Sequence, residues 1–100
     1  MSEALNESVV ELIHRRRRQV LVHSILYYEM NTNVLPDATF DAWAHELADL
    51  QVAHPEESAA VDYMRDEFKD FTGDGGSHLP LHDKRAYTIA LQLQTTGAHT

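Results

Sequence analysis

No glycine or proline precedes Pro36, and beyond it these residue types are confined to Pro55, the stretch from Gly73 to Pro80, and Gly97. So few punctuators divide the chain into four segments of helical length. None of them sustains the alternation of apolar and polar residues that a half-buried strand needs. The expected fold is all-α, a small antiparallel bundle of about four helices, because the first two connections are short.

The first predicted helix runs from about Asn6 or Ser8 to Met30. With Tyr27 at the centre of a helical face, Val9, Ile13 and Val20 fall near it at about 100° per residue. Leu12 lies at one margin, and Val10, Leu21 and Tyr28 form a second apolar flank. Asn31 and Asn33 are turn formers, and Pro36 cannot continue a helix from behind. The second helix opens with Asp37 as N-cap and carries Phe40, Trp43, Ala44, Leu47 and Leu50 at helical spacing. It stops at His54, because a residue before proline avoids helical angles.

Pro55 suits the first turn of a third helix, where Glu56 and Glu57 complement the positive end of its dipole. Ala60, Tyr63, Met64, Phe68 and Phe71 give that helix one apolar face. A loop follows over 72–80. A C-terminal helix over about 81–95 carries Ala86, Tyr87, Ile89, Ala90, Leu91 and Leu93, and Thr95 to Thr100 reads as frayed. The chain is read as one domain over 1–100, with a core at about 8–72.

Composition narrows the function. The 100 residues contain no cysteine, which excludes disulfides, thiolate nucleophiles and Cys-ligated zinc. Apolar residues make up 43% of the chain, enough for one modest core. No apolar run approaches the roughly 18 residues needed to cross a bilayer, and the start, Met1 to Glu7, is polar rather than a basic-then-apolar export signal. A cytoplasmic protein without membrane contact is expected.

The formal net charge is −8, and four of the eight positive residues are the consecutive Arg15, Arg16, Arg17 and Arg18. The rest of the surface repels nucleic-acid phosphate. Arg16 and Arg17 point into the same helical sector as Ile13 and Val20, where an unpaired charge is costly. Three solutions are open. The arginines pair with Asp62, Asp66, Glu67 and Asp70 of the third helix, or the first helix overhangs its neighbours, or they meet an acidic partner or phosphate.

Across the first turn the chain reads His23-Ser24-Ile25-Leu26-Tyr27-Tyr28-Glu29-Met30-Asn31, then Leu35-Pro36-Asp37-Ala38-Thr39-Phe40-Asp41. Glu46-Leu47, Leu50 and His54-Pro55-Glu56 follow. From about Val20 to Glu56 this resembles, without a gap, the N-terminal helical domain (domain Ia) of bacterial NAD-dependent DNA ligases. That family carries a Tyr-His or Tyr-Tyr pair at the end of a long helix, then Pro-Asp-x-x-Tyr-Asp, then a helix closing with His-Pro-Glu. The resemblance implies that the domain closes over the nicotinamide mononucleotide (NMN) half of NAD. It assigns corresponding roles to Tyr27, Tyr28, Asp37, Phe40 and Asp41, with Tyr27 against the nicotinamide ring. Tyr28 stands where the family usually has histidine, and Phe40 where it usually has tyrosine. The continuation Phe68-Lys69-Asp70-Phe71-Thr72-Gly73-Asp74-Gly75-Gly76 resembles that of small phage-encoded proteins labelled ligase-related.

The residue chemistry is compatible with that role. Asp37 and Asp41, four apart on one helix, face the same way at roughly 6 Å. Aromatic rings attract a cationic pyridinium by about 0.5–2 kcal/mol, and carboxylates accept hydrogen bonds from ribose hydroxyls. The same residues also read as architecture: Asp37 as cap, Asp41 as a first-turn acid, the rings as core.

Ligation by this chain alone is not expected. The family's adenylated lysine sits in Lys-x-Asp-Gly, whereas Lys69 precedes Asp70-Phe71 and Lys84 precedes Arg85-Ala86. The remaining ligase domains have no room in this length. His78 and His82 have i, i+4 spacing, but Pro80 between them argues against one helical face, and no metal site is expected. The expected function is that of a non-catalytic binding protein on a domain Ia-like scaffold, with no cofactor required and NMN or NAD as a weak ligand. The alternative is a phage-encoded interaction or anti-defence inhibitor that uses Arg15 to Arg18 against an unknown macromolecule, more readily a protein than a nucleic acid. The residues do not reveal an oligomeric state.

Overall fold

The structure is a computed structural model that describes residues 5–32 and 34–96. Asn33, read above as a turn former, residues 1–4 of the polar start, and residues 97–100 of the end read above as frayed from Thr95 lie outside the described residues, while Thr95 and Thr96 are helical. Among the described residues five helices form: α1 (Glu7–Tyr28), α2 (Asp37–Ala53), α3 (Pro55–Ala60), α4 (Arg65–Phe68) and α5 (Lys84–Thr96). The fold is all-α, a small bundle in which α2, α3 and α5 pack around α1. Among the described residues no strand forms, and no helix is long and apolar enough to cross a membrane.

Local chemistry sets both ends of α1. The Asn6 carboxamide oxygen accepts the N–H groups of Ser8 and Val9 (3.1 and 3.3 Å), which would otherwise be orphaned at the helix start. At the far end Asn31 turns left-handed (φ +50°), a conformation that asparagine tolerates better than most residues. This lets the Thr32 N–H reach back to the Leu26 carbonyl at 2.8 Å.

Burial along α1 extends beyond the predicted face and its second apolar flank. Gln19 through Leu26 are all buried, because neighbours cover this half of the helix on several sides. Tyr27, placed at the centre of the apolar face by its spacing, is instead 51% exposed. It stands where α1 emerges from the bundle. On α2, Ala44 and Leu47 are buried as expected, with Phe40, Trp43 and Leu50 packed against the core. Asp37 is the first helical residue rather than the N-cap, which is Pro36 in an extended conformation without a side-chain hydrogen bond.

The predicted third helix is two helices, and Arg17 supplies the reason. Arg17 is completely buried, and its five N–H groups all find acceptors. Nε donates to Gln51 Oε1 (2.8 Å), and Nη1 to the Val61 and Tyr63 carbonyls (both 2.9 Å). Nη2 donates to the Ser58 carbonyl (3.0 Å) and the Ser58 hydroxyl (2.8 Å). The cation thus sits on carbonyls at the C-terminal end of α3, where orphaned oxygens and the negative end of the helix dipole favour it. The chain bends around it, with Val61 extended and Met64 left-handed (φ +53°), before α4 starts. Ala60 falls on the exposed side of this bend. Burial, and next the charge of Arg65, lower the Arg17 pKa, yet an arginine stays protonated in a protein.

The C-terminal helix also starts later than predicted, at Lys84, after tight turns in which Leu81 N–H meets the Leu79 carbonyl and Asp83 N–H the Pro80 carbonyl. Asp83 then caps it by accepting the Ala86 N–H at 3.1 Å. Ala86, Ala90 and Leu93 form its buried side, while Leu91 is 44% exposed. Two contacts tie this C-terminal part to the first turn: Gln94 Nε2 donates to Thr32 Oγ1 (3.1 Å), and His82 Nε2 lies 2.8 Å from Glu29 Oε1.

One contact carries a pH dependence. Glu57 Oε2 accepts the Asn6 N–H (3.0 Å), and this bond, ahead of Glu57's own N–H and the charge of His54, holds its carboxyl below the usual carboxylate range. A carboxylate depressed in the folded state contributes stability above its unfolded pKa, and that contribution is lost as pH falls through the folded value. The Asn6 amide shift is therefore expected to move on acidification through the carboxylate range, and Glu57→Gln is expected to flatten that titration. An Asn6 signal equally pH-dependent in the variant would contradict this.

Candidate functional site

The exposed end of α1, the start of α2 and a loop from the far side of the sequence enclose one cleft of about 410 Å³, within the usual range for small-molecule sites. Tyr27, Tyr28, Asp37, Phe40 and Asp41 all line it. The turn between the helices therefore brings all five sequence-derived candidates together. The two tyrosine rings meet edge to face, with centroids 4.8 Å apart and planes at 86°, and both are substantially exposed. They offer ring surface to the cleft rather than to the core. Asp37 and Asp41 are exposed and Phe40 is half-buried. The absence of a side-chain cap on α2 leaves the Asp37 carboxylate unspent in helix capping, contrary to the architectural reading of this residue.

Other residues of the cleft were given no role from the sequence. His45 lies one helical turn beyond Asp41, a spacing that could have flagged it. Its Nδ1 is 2.9 Å from the Asp41 carbonyl oxygen. A carbonyl only accepts, so Nδ1 carries the proton and Nε2 turns outward, 3.9 Å from Asp74 Oδ1. His23 lines the cleft from α1 while buried against Trp43, edge to face at 5.7 Å. Gly73, Asp74 and Gly75 form the remaining edge. Local sequence reads this segment as a plain loop, and only the three-dimensional packing places it over the two helices.

The arginine run does not form one patch. Arg17 is enclosed and cannot reach a partner. Arg16 pairs inside the molecule, with Nε 2.6 Å from Glu46 Oε1, Nη1 donating to Gln19 Oε1 (2.6 Å) and Cζ 5.2 Å from the Trp43 ring centroid. Arg15 and Arg18 remain exposed. The pairing is intramolecular, but Glu46, Gln51 and main-chain carbonyls take the place of the expected Asp62, Asp66, Glu67 and Asp70, which are all exposed. Of these, Asp62 meets Arg65 at 3.3 Å. Among the described residues, no group of three histidine or acidic side chains is placed to hold a metal ion. His78 lies near the Phe71 ring, with centroids 6.1 Å apart.

Comparison with known proteins agrees with this architecture. A family model described as DNA ligase-like, N-terminal NAD+-binding domain, matches residues 6–61. Over 51 residues, or 51% of this chain, the sequence is 35% identical to a DNA ligase from Roseiflexus sp. (strain RS-1), and the match covers 7% of that ligase. No solved structure matches the chain significantly. The matched stretch contains α1, the turn, α2 and α3, and thus the two helices that carry the paired tyrosines and the paired aspartates. The chain therefore belongs to the family of DNA ligase-like, N-terminal NAD+-binding domains.

Proposed function

We propose that this chain binds the nicotinamide mononucleotide half of NAD in the cleft between α1 and α2, and that it does so without transferring adenylate itself. The observation that carries the reading is the convergence of Tyr27, Tyr28, Asp37, Phe40 and Asp41 on one cleft of ligand size. The exposed tyrosine faces suit a pyridinium cation. The aspartates suit its charge and the ribose hydroxyls. Tyr28 and Phe40, in place of the family's usual histidine and tyrosine, remove an imidazole and a phenol hydroxyl, so binding relies on stacking and charge. Neither Lys69 nor Lys84 lines the cleft or precedes an Asp-Gly step, which supports a binding role over a nucleophilic one.

Titration with nicotinamide mononucleotide, followed by amide and aromatic NMR shifts, tests the proposal. Shifts are expected at Tyr27, Tyr28, Phe40 and His45, with Leu91 on the outer side of α5 unaffected. Replacing Asp37 and Asp41 together with asparagine should weaken binding by roughly tenfold or more, the scale of losing charged hydrogen-bond partners. A spectrum unchanged at millimolar ligand removes the proposal.

A further inference from the structure

The segment Gly73-Asp74-Gly75 lies beyond the matched residues 6–61, yet it forms one side of the cleft. Its seating is close. A Cβ added at Gly73 (φ +89°) would lie 3.0 Å from His45 Cδ2 and 3.2 Å from the Ala44 carbonyl oxygen, and one at Gly75 (φ +118°) would lie 3.2 Å from the Tyr28 hydroxyl. The main chain therefore rests directly on α2 at one end and on the second tyrosine of α1 at the other. Both φ values disfavour other residues, so glycine is required here twice over. Buried Phe71 and Leu79 anchor the flanks of the loop, and Thr72 Oγ1 donates to Asp74 Oδ2 at 3.0 Å. It is a packed wall, held on both helices.

The wall also changes what the cleft accepts. With Asp74 added to Asp37 and Asp41, three carboxylates border it, and no lysine or arginine is among its lining residues. A cationic aromatic ring gains from every one of these groups. A phosphate dianion carried by the same ligand is repelled by all three and finds no lysine or arginine in the lining, only the imidazoles of His23 and His45, the latter already beside Asp74 at 3.9 Å.

We infer that the Gly73–Gly75 wall makes the cleft a site for a phosphate-free quaternary pyridinium nucleoside, with nicotinamide riboside bound in preference to its 5′-phosphate. The inference rests on the nucleotide-site reading above and specifies its ligand class. Asp74 sets the preference through charge, and the glycine main chain closes the edge of the cleft between His45 and Tyr28.

Parallel calorimetric titrations of the whole protein with nicotinamide riboside and with nicotinamide mononucleotide, at low and at high salt, test it. The riboside is expected to bind at least about fivefold tighter at low salt. The advantage should shrink in salt, because exposed charges are screened over roughly 10 Å or less, and it should shrink again in Asp74→Asn, an exposed position whose substitution leaves the core untouched. Equal or tighter binding of the mononucleotide overturns the inference and leaves the nucleotide-site reading standing. An unchanged ratio in Asp74→Asn also overturns it. Binding of neither compound overturns both.

Discussion

Arg17→Met is expected to cost about 3–5 kcal/mol of folding stability, the scale found when one side of a buried charged network is removed. Against a total of about 5–15 kcal/mol for a small domain, that is enough to leave a large unfolded fraction at elevated temperature. The melting temperature should fall by on the order of 20 °C. Methionine matches much of the arginine stem in shape, so lost packing contributes little. The cost lies in the acceptors left behind. Three of the five are main-chain carbonyls, of Ser58, Val61 and Tyr63, and no further side-chain change can remove them. An unsatisfied buried acceptor carries its full desolvation penalty. Arg17→Lys should recover less than half of the loss, because an ammonium offers three donors from one point and cannot reproduce the planar fork. Urea denaturation followed by helical circular dichroism measures both variants. A methionine variant within about 1 kcal/mol of the parent would show that the network is neutral overall.

Gly76→Ala is the second large effect, expected at about 1–3 kcal/mol, the usual range for overpacking a tight site. A Cβ there would overlap the Ser24 hydroxyl oxygen and lie 2.9 Å from Ser24 Cβ and 3.1 Å from Leu79 Cδ1. Ser24 is completely buried within α1, so the helix cannot move aside cheaply. Its hydroxyl oxygen has no hydrogen-bond partner among the described residues. Ser24→Ala alone is therefore expected to be neutral or slightly stabilising, since it removes a polar atom that costs free energy when unpaired. Combined with Gly76→Ala, it should recover part of the loss but not all, because the two β-carbons still crowd. The double-mutant cycle should thus show clear non-additivity. Additive free energies would mean that the loop relaxes away from α1, and the wall it carries over the cleft would then be looser than its contacts indicate.

Both predictions concern contacts that a reading of the chain in order could not supply. The charge of Arg17 and its awkward sector were visible, and carboxylates on the next helix were the natural guess. The acceptors proved to be a side-chain amide, a serine hydroxyl and three main-chain carbonyls, and such carbonyls are free to accept only where a helix ends or a chain bends. The same blind spot made one helix out of α3 and α4. Ala60, Tyr63, Met64 and Phe68 keep helical spacing, but the interior cation draws the carbonyls between them out of any helical ladder. Tyr27 failed for a related reason: spacing identifies an apolar face, and it does not say where along the rod the neighbours stop covering it.

What the chain order determined by itself is the helical class, a first helix starting near Asn6, the turn around Asn31 and the start of α2 at Pro36-Asp37. These depend on interactions within a few residues, through side-chain caps, proline's fixed geometry and the i to i+4 repeat. Because a short turn joins α1 and α2, the clustering of Tyr27, Tyr28, Asp37, Phe40 and Asp41 was legible as well. The tertiary structure alone decided that Arg17 would be swallowed by partners 34 to 46 residues away, and that Gly73 to Gly76 would lie across His45, Tyr28 and Ser24. The physical reason is range: hydrogen-bond acceptors and steric room at a given point are set by whatever segment packs there, and no local pattern of residue types records which segment that will be.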